Sequence, residues 1–245
     1  MSNGSNILSK LQELNKKKSI VVYLPSLKKK VKFLPFTLKQ QKSILAAMPE
    51  DAKGLITFNS LFNSVISDNA EEGIDASQLN HFDRLSIVLS YRASSLGDVV
   101  KTEDGEIEIN KVIDNITNYN YDKLFNVKKV SVKDLSAEVK IPNNEYDEKI
   151  ANSVAKLVTK DTPSKQVVSE LYTSEILKFI QSITIEKETI NLLDIPYNDK
   201  IEIIEALPGN FVKLVMNFIE EIKNVENELT TVDGVKLDIT NQLFS

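Results

Sequence analysis

Apolar residues recur along much of this chain at the spacing of an amphipathic helix, most clearly over residues 82–96. Phe82, Leu85, Leu89, Arg92 and Leu96 follow one another at intervals of three or four residues and form a stripe that is apolar except for Arg92. Such spacing places all five side chains on one helical face. Gly97 follows the last apolar position, where a left-handed C-terminal cap is usual. The pattern therefore predicts a helix that starts near His81 and ends at Gly97.

Arg92 is the charged member of this stripe. A buried charge is costly unless it is paired, so two interpretations stand. In the first, Arg92 lays its aliphatic stem on the core and keeps its guanidinium in water. In the second, Arg92 is paired and holds the following turn, residues 94–98, against a neighbouring element.

The same periodicity predicts helices over most of the remaining chain. They are expected over residues 5–17, 37–47, 51–66, 111–118, 147–158, 163–180 and 197–206, and from residue 210 to beyond residue 222. Met48-Pro49 ends the second of these, because the residue before a proline disfavours helical backbone. The first is short for an isolated helix, so we expect it to be docked or ordered by a partner.

Pairs of short β-rich runs lie between these helices and predict hairpins. The pairs are 19–24 with 29–34, 99–101 with 106–109, 127–132 with 137–141, 183–185 with 189–192, and 228–232 with 235–239. In the first pair, Val31 and Phe33 alternate with Lys30 and Lys32, which is the period of a half-buried strand. Its flanking prolines and its lysines are typical of a sheet edge, which either resists aggregation or receives a partner's strand.

These elements predict an α+β fold that is mainly helical, with several short β-hairpins. The sequence pattern changes from helical to β-rich near Gly97 and back to helical near residue 143, which divides the chain into three parts. We expect residues 1–97 to contain a basic arm, an edge hairpin and helices, residues 98–142 to form a β-rich insertion, and residues 143–245 to return to helices with hairpins.

Three segments follow one another in an unusual order over roughly residues 20–100. A proline-punctuated basic stretch (residues 24–36) precedes a Lys-rich helix (residues 37–45), and a Phe-Asp…Arg-Ala-x-Ser-x-Gly helix follows at residues 82–97. This order resembles the baseplate hub family of T-even-type tailed phages. The resemblance implies a role in the baseplate hub, either as a virion component or as a chaperone that assists hub and tape-measure assembly and then leaves.

Charge is divided unevenly along the chain. Residues 1–42 hold ten lysines and one glutamate, a net charge of +9, whereas the whole chain has −5, so the remainder carries −14. A basic arm on an acidic body fits a negatively charged partner, or self-association head to tail into a homo-oligomer. Nucleic acid would also attract the arm, but the acidic body would repel phosphates elsewhere.

The chain offers little of the usual catalytic or ligand-binding chemistry. It has no cysteine, one histidine and seven glycines, and neither phosphate-binding glycine motif nor a serine nucleophile elbow occurs. A lone His81 without cysteine or a second histidine is expected to be a helix-start residue and not a metal ligand. No run approaches the ~20 apolar residues that span a bilayer. We therefore expect no enzyme activity, no cofactor, no metal and no membrane association.

Binding to other proteins is the function that remains. We expect the partners to be hub or tape-measure subunits, bound in the host cytoplasm during assembly. If the protein is a structural component, we expect it to remain in the tail baseplate of the virion. The candidate interaction residues are Lys28, Lys29, Lys30, Lys32, Phe33, Asp83, Arg92 and Gly97. The lysines would steer acidic partners, and Asp83 and Arg92 would position the central helix. The alternative is a nucleic-acid-binding module that uses the basic N-terminal arm.

Overall fold

The structure is a computed structural model that describes residues 18–46, 52–70, 73–157 and 163–237, together with residues 7, 10, 13 and 14. Nine α-helices and ten strands lie in these described residues, which confirms the mainly helical α+β class. None of the described helices combines the length and the apolar character that crossing a membrane requires. The helix predicted over residues 5–17 falls mostly outside the described residues.

The chain forms two compact units. Unit 1 comprises the described residues of Met1–Tyr119 and Asn227–Ser245, and unit 2 comprises those of Asn120–Glu226. The three-part division drawn from the sequence stays a prediction.

Unit 1 begins with a hairpin and continues with helices. Its elements are β1 (Ile20–Leu24), a 3₁₀ turn (Pro25–Leu27), β2 (Lys29–Phe33), α1 (Leu38–Ala46), α2 (Ala52–Asn69), a second 3₁₀ turn (Ala76–Gln78), α3 (His81–Leu96), β3 (Val99–Thr102), β4 (Gly105–Glu108) and α4 (Ile109–Asn118), with the short strands β9 (Thr231–Val232) and β10 (Val235–Lys236) near the end of the chain. The predicted start of α3 at His81 and the first two predicted hairpins are confirmed.

The core of unit 1 lies where the inner face of the β1–β2 hairpin meets α3 and the helices before it. It contains Val22, Leu24, Val31, Phe33, Phe36, Ile44, Phe62, Val65, Ile66, Leu79, Ile87 and Tyr91. Tyr91 is its aromatic centre, since its ring stacks on Phe36 with centroids 3.5 Å apart and meets Phe33 edge-on at 6.4 Å. Aromatic pairs of this kind add to the free energy gained by burying apolar area.

Unit 2 contains a four-stranded antiparallel sheet and helices. Its elements are α5 (Asp122–Phe125), β5 (Lys128–Val132), β6 (Leu135–Val139), α6 (Asn144–Leu157), α7 (Ser164–Leu177), β7 (Ile180–Ile185), β8 (Glu188–Asn191), a 3₁₀ turn (Leu192–Asp194) and α8 (Tyr197–Glu205), and α9 (Gly209–Thr230) contributes its residues up to Glu226. The strand order is β5-β6-β7-β8. Two hairpins predicted separately therefore join into one sheet through pairing of β6 with β7.

Two predictions about element ends and one about burial are wrong. The helix predicted to reach residue 180 ends at Leu177, because Ile180 already pairs with Val139 in the sheet. The strand predicted over residues 228–232 begins only at Thr231, where it pairs with β10 as expected, because the apolar period of α9 continues through buried Val225 and Leu229. Leu96 was placed on the apolar face of α3, but it is the last residue of the helix and is 53% exposed.

Candidate protein-interaction site

Asp83 joins α3 to the β1–β2 hairpin. The side chain of Asn80 accepts hydrogen bonds from the backbone N–H groups of Phe82 and Asp83, and one carboxylate oxygen of Asp83 accepts the N–H of Asn80 at 2.9 Å, which completes a capping box. The other oxygen of Asp83 accepts the N–H of Ser26 at 2.9 Å. One carboxylate thus fixes both the start of α3 and the turn of the hairpin.

Asp83 is completely buried, which has an electrostatic consequence. Removal from water disfavours the ionised carboxyl and raises its pKa, while the hydrogen bonds from Asn80 and Ser26 act in the opposite direction. Burial is the larger effect, so the pKa of Asp83 lies above its ordinary value.

Two further side chains of α3 hold the hairpin through its backbone. The hydroxyl of Ser86 donates to the carbonyl oxygen of Tyr23 at 2.7 Å, and the hydroxyl of Tyr91 donates to the carbonyl oxygen of Leu34 at 2.6 Å. Burial raises the pKa of Tyr91, so its hydroxyl stays protonated and remains a donor. These bonds connect the helix to β1 and to the residue that directly follows β2, so the hairpin is fixed against α3 on both sides.

Arg92 holds the turn that follows α3. Its side chain is buried, and its terminal nitrogens donate to the carbonyl oxygens of Gly97 at 2.7 Å and Val99 at 3.4 Å. The structure therefore agrees with the second interpretation of Arg92, in which its guanidinium is paired and holds the turn. Its partners are backbone carbonyl oxygens. Gly97 has φ +95° and ψ 166°, which lies outside the left-handed helical region, so the predicted left-handed cap is wrong. The bond from Arg92 to the Gly97 carbonyl fixes the chain directly after the end of the helix.

The outer face of the β1–β2 hairpin is both basic and apolar. Val21 pairs with Lys32 and Tyr23 pairs with Lys30, and directly opposite residues of an antiparallel pair point to the same face. Val21 is 57% exposed, both lysines are exposed, and Tyr23 is half-buried. We call these four residues the hairpin outer face. Residues 18–46 contain seven lysines and no acidic residue, so the segment that forms this face carries net positive charge.

The predicted interaction residues take different places. Lys28 and Lys29 are exposed at the turn of the hairpin, next to the hairpin outer face. Phe33 is fully buried in the core of unit 1, so it supports the hairpin from within. Asp83 and Arg92 are buried as well, and both position α3 and its neighbours through backbone groups.

A groove of about 440 Å³ opens beside the hairpin outer face. Its lining comes from β1, α3, α4 and the turn between α3 and β3, and consists of Ile20, Val21, Ser90, Ala93, Ser94, Gly97, Asp98, Asn110 and Ile113. Val21 belongs to both the groove and the hairpin outer face, so the two surfaces are continuous.

Sequence reasoning missed several of these residues. Tyr23 and Val21 were placed in a strand but not on its exposed face, because the run Ile20–Leu24 is apolar or aromatic throughout and its period does not distinguish the two faces. Asn80 and Asp83 have the spacing of a capping box, which is readable from sequence. The partners of Ser86 and Tyr91 carry no such signal, because each bond spans more than fifty residues.

Within the described residues, no group of three or more His, Asp or Glu side chains is arranged to hold a metal ion. His81 is exposed at the first position of α3, with its ring edge-on to Phe82 at 5.7 Å. We take the hairpin outer face and the groove beside it as the candidate site, because exposed lysines and exposed apolar side chains adjoin there.

Comparison with known proteins identifies one family. The family model described as T4 bacteriophage base plate protein matches residues 16–237, which is most of the chain. No curated protein and no solved structure gives a match.

Proposed function

Since the chain belongs to the T4 bacteriophage base plate protein family, we propose that it is a baseplate hub protein or a hub-assembly chaperone that binds hub or tape-measure subunits while the baseplate is built. It would do so in the host cytoplasm, and a structural hub protein would remain in the tail baseplate of the virion.

The observation that carries this proposal is the hairpin outer face on its fixed support. Val21 and Tyr23 supply apolar contact area, and Lys30 and Lys32 supply positive charge beside it. Because α3 already holds the hairpin in place, little conformational entropy is lost when a partner binds. Such a surface favours an acidic protein partner, whose approach the lysines would accelerate.

The mechanism follows from this geometry. The hairpin outer face would cover a complementary surface of a hub or tape-measure subunit until the next subunit replaces it, or permanently in a structural part. Lys28 and Lys29 at the turn would add to the attraction of acidic residues. Arg92 and Gly97 would keep the end of α3 in place and so preserve the wall of the adjoining groove.

The proposal is tested by a charge reversal with a matched control. The protein is co-expressed with each hub and tape-measure subunit of the same phage, and affinity is measured by biolayer interferometry. We expect Lys30→Glu together with Lys32→Glu to weaken binding at least tenfold, whereas Lys187→Glu together with Lys223→Glu, on exposed positions of unit 2, should leave it unchanged. Equal affinity of both double variants and the wild-type chain would contradict the proposal.

Mass spectrometry of purified particles and of assembly intermediates separates the two roles. Presence in mature particles indicates a hub component, and presence only in intermediates indicates a chaperone. Absence from both would overturn the proposed function.

Nucleic-acid binding is the competing function, and the lysine-rich stretch with no acidic residue is the observation that favours it. Each neutralised phosphate releases counterions, so affinity for DNA or RNA would fall steeply as salt rises. Titration of the chain with a mixed-sequence DNA duplex at several salt concentrations tests this. A steep slope without affinity for hub subunits would favour the nucleic-acid function over the proposed one.

A further inference from the structure

Strand β1 has an open edge on the side away from β2, and one hydrogen bond shows which backbone groups face it. The hydroxyl of Ser86 donates to the carbonyl oxygen of Tyr23, so this carbonyl points away from β2. In an antiparallel ladder, residues that face outward alternate with residues bonded to the partner strand. Val21 therefore also directs its N–H and C=O away from β2, whereas Val22 is bonded to Val31.

The bonds of β2 give the same register. The N–H of Leu34 donates to the carbonyl oxygen of Asn69 at 2.7 Å, so Leu34 faces away from β1. Lys32, two residues earlier, then faces outward as well, and it is the residue opposite Val21. In the part of the chain that the structure describes, the N–H and C=O of Val21 consequently have no hydrogen-bond partner.

The groove of about 440 Å³ lies along this open edge. Its described lining includes Ile20 and Val21 of β1 and no residue of β2. Ala93 of α3 and Ile113 of α4 line it as well, so the unpaired backbone groups of Val21 lie beside apolar side chains.

These backbone groups select the kind of occupant. A partner that covers this edge removes the N–H and C=O of Val21 from water, which is costly unless both groups are paired again. A helix bonds its backbone groups internally, so it offers no donor and acceptor at this position. An extended segment offers both, because one residue of an added strand can exchange two hydrogen bonds with Val21.

The surroundings of Val21 determine the side chains of such a segment. Successive residues of a strand point to opposite faces, so the residue paired with Val21 points to the hairpin outer face, beside Lys32. The residues before and after it point toward the apolar lining of the groove. Acidic and apolar residues in alternation fit these two faces.

The one acidic side chain in the described lining of the groove agrees with this pattern. Asp98 lies in the turn after α3, and its Oδ2 accepts the side-chain N–H of Asn110 at 3.2 Å. Its charge repels a carboxylate from the groove, whereas the lysines attract one to the hairpin outer face.

We propose that a hub or tape-measure partner inserts an extended segment of alternating apolar and acidic residues into this groove, where it adds a third strand beside β1 at Val21. The inference rests on the proposed function for the identity of the partner. It adds the conformation and the side-chain pattern of the segment that the site takes.

Amide hydrogen exchange of the full-length chain, measured by NMR, tests the pairing. In the free chain the N–H of Val21 should exchange fast and that of Val22 slowly. The probe is the peptide acetyl-Glu-Val-Glu-Val-Glu-amide, titrated to about 2 mM because a contact of this size gives a weak complex. It should slow exchange at Val21 at least about tenfold and leave Lys32, whose N–H faces the other edge, unchanged.

Two outcomes of this experiment would overturn the proposal. The first is unchanged exchange at Val21 at the highest peptide concentration. The second is protection of Val21 when the concentration of the chain alone is raised, because a second copy would then be the occupant.

Two control peptides separate the backbone from the charge. N-methylation of the central Glu removes the N–H that would bond to the carbonyl oxygen of Val21, so protection should be lost. Replacement of the three Glu by Lys keeps the backbone and should weaken binding at least about tenfold, because the lysines of the hairpin repel it. Binding of either control as tight as that of the probe would contradict the proposal.

Two variants of the chain test the groove itself. Ala93→Phe fills it and should lower the affinity for the fluorescein-labelled probe at least about tenfold in fluorescence polarisation, because the inward side chains lose their space. Ser95→Phe, at an exposed position of α3 outside the groove, is the matched control and should bind as the wild-type chain does. Equal affinities of the two variants would overturn the proposal.

The same variants separate this inference from the proposed function. A hub or tape-measure subunit that binds Ala93→Phe as tightly as the wild-type chain in biolayer interferometry would overturn the inference and leave the proposed function standing. If the probe binds as expected and no hub or tape-measure subunit does, the proposed function and the identity of the partner fail together, whereas the strand pairing at Val21 is retained.

Discussion

The carboxylate of Asp83 accepts a hydrogen bond from the backbone N–H of Ser26 at 2.9 Å, although 57 residues separate them in the chain. The same carboxylate caps the first turn of α3 through Asn80. The bond ties the helix to the turn of the β1–β2 hairpin, and the hairpin carries the hairpin outer face to which we assign partner binding. The position of that face therefore depends on a buried residue that a partner cannot touch.

Asp83→Ala should lower the free energy of unfolding by about 1–3 kcal/mol, because the buried N–H of Asn80 and the partly buried N–H of Ser26 lose their acceptor. Urea unfolding followed by circular dichroism measures this change. Asp114→Ala, at an exposed position of α4, serves as the control and should change stability by less than about 0.5 kcal/mol. Equal effects of the two substitutions would contradict the role of Asp83.

The contribution of Asp83 to stability should depend on pH. Burial raises the pKa of this carboxyl above its ordinary value of 3.8, so the native state holds the proton more tightly than the unfolded chain. Such a group contributes its full stability below the ordinary pKa and loses it as pH rises through the native pKa. The difference in unfolding free energy between the wild-type chain and Asp83→Ala should therefore shrink from about pH 4 towards neutral pH, and a growing difference would contradict this.

Tyr91→Phe should destabilise the chain by about 1–2 kcal/mol. The variant keeps the aromatic ring that stacks on Phe36, but it leaves the carbonyl oxygen of Leu34 without its 2.6 Å donor. Tyr172→Phe, at a tyrosine that is 54% exposed, removes a hydroxyl in the same way and should be close to neutral. Thermal unfolding of both variants measures the contribution of the hydroxyl, and a Tyr91→Phe variant as stable as Tyr172→Phe would show that the bond to Leu34 does not stabilise the chain.

Arg92→Met should loosen the turn between α3 and β3. Methionine retains the apolar stem but cannot donate to the carbonyl oxygens of Gly97 and Val99, so we expect a loss of about 1–2 kcal/mol. Amide hydrogen exchange over residues 97–100 should accelerate while exchange in β2 stays slow. Lys213→Met, at an exposed position of α9, is the control, and unchanged exchange in Arg92→Met would show that Arg92 does not hold the turn.

Part of the candidate site was determined by local sequence. Alternation of Val31 and Phe33 with Lys30 and Lys32 predicted both the strand and its exposed lysines, because successive side chains of a strand point to opposite faces. The spacing of apolar residues from Phe82 to Leu89 predicted α3, because residues three or four apart lie on the same face of a helix. These signals depend on neighbours within a few residues, so they can be read without knowing the fold.

Tertiary structure alone decided what those elements touch. Phe33 and Lys32 follow one another in the same strand, yet Phe33 is buried against Tyr91 whereas Lys32 is exposed beside Val21. The bond from Ser26 to Asp83 and the pairing of β6 with β7 join segments that are more than forty residues apart, and no local period encodes such a partner. The sequence determined the type of most elements and the charge of the hairpin, and packing of distant segments determined which side chains support the site and which remain open to a partner.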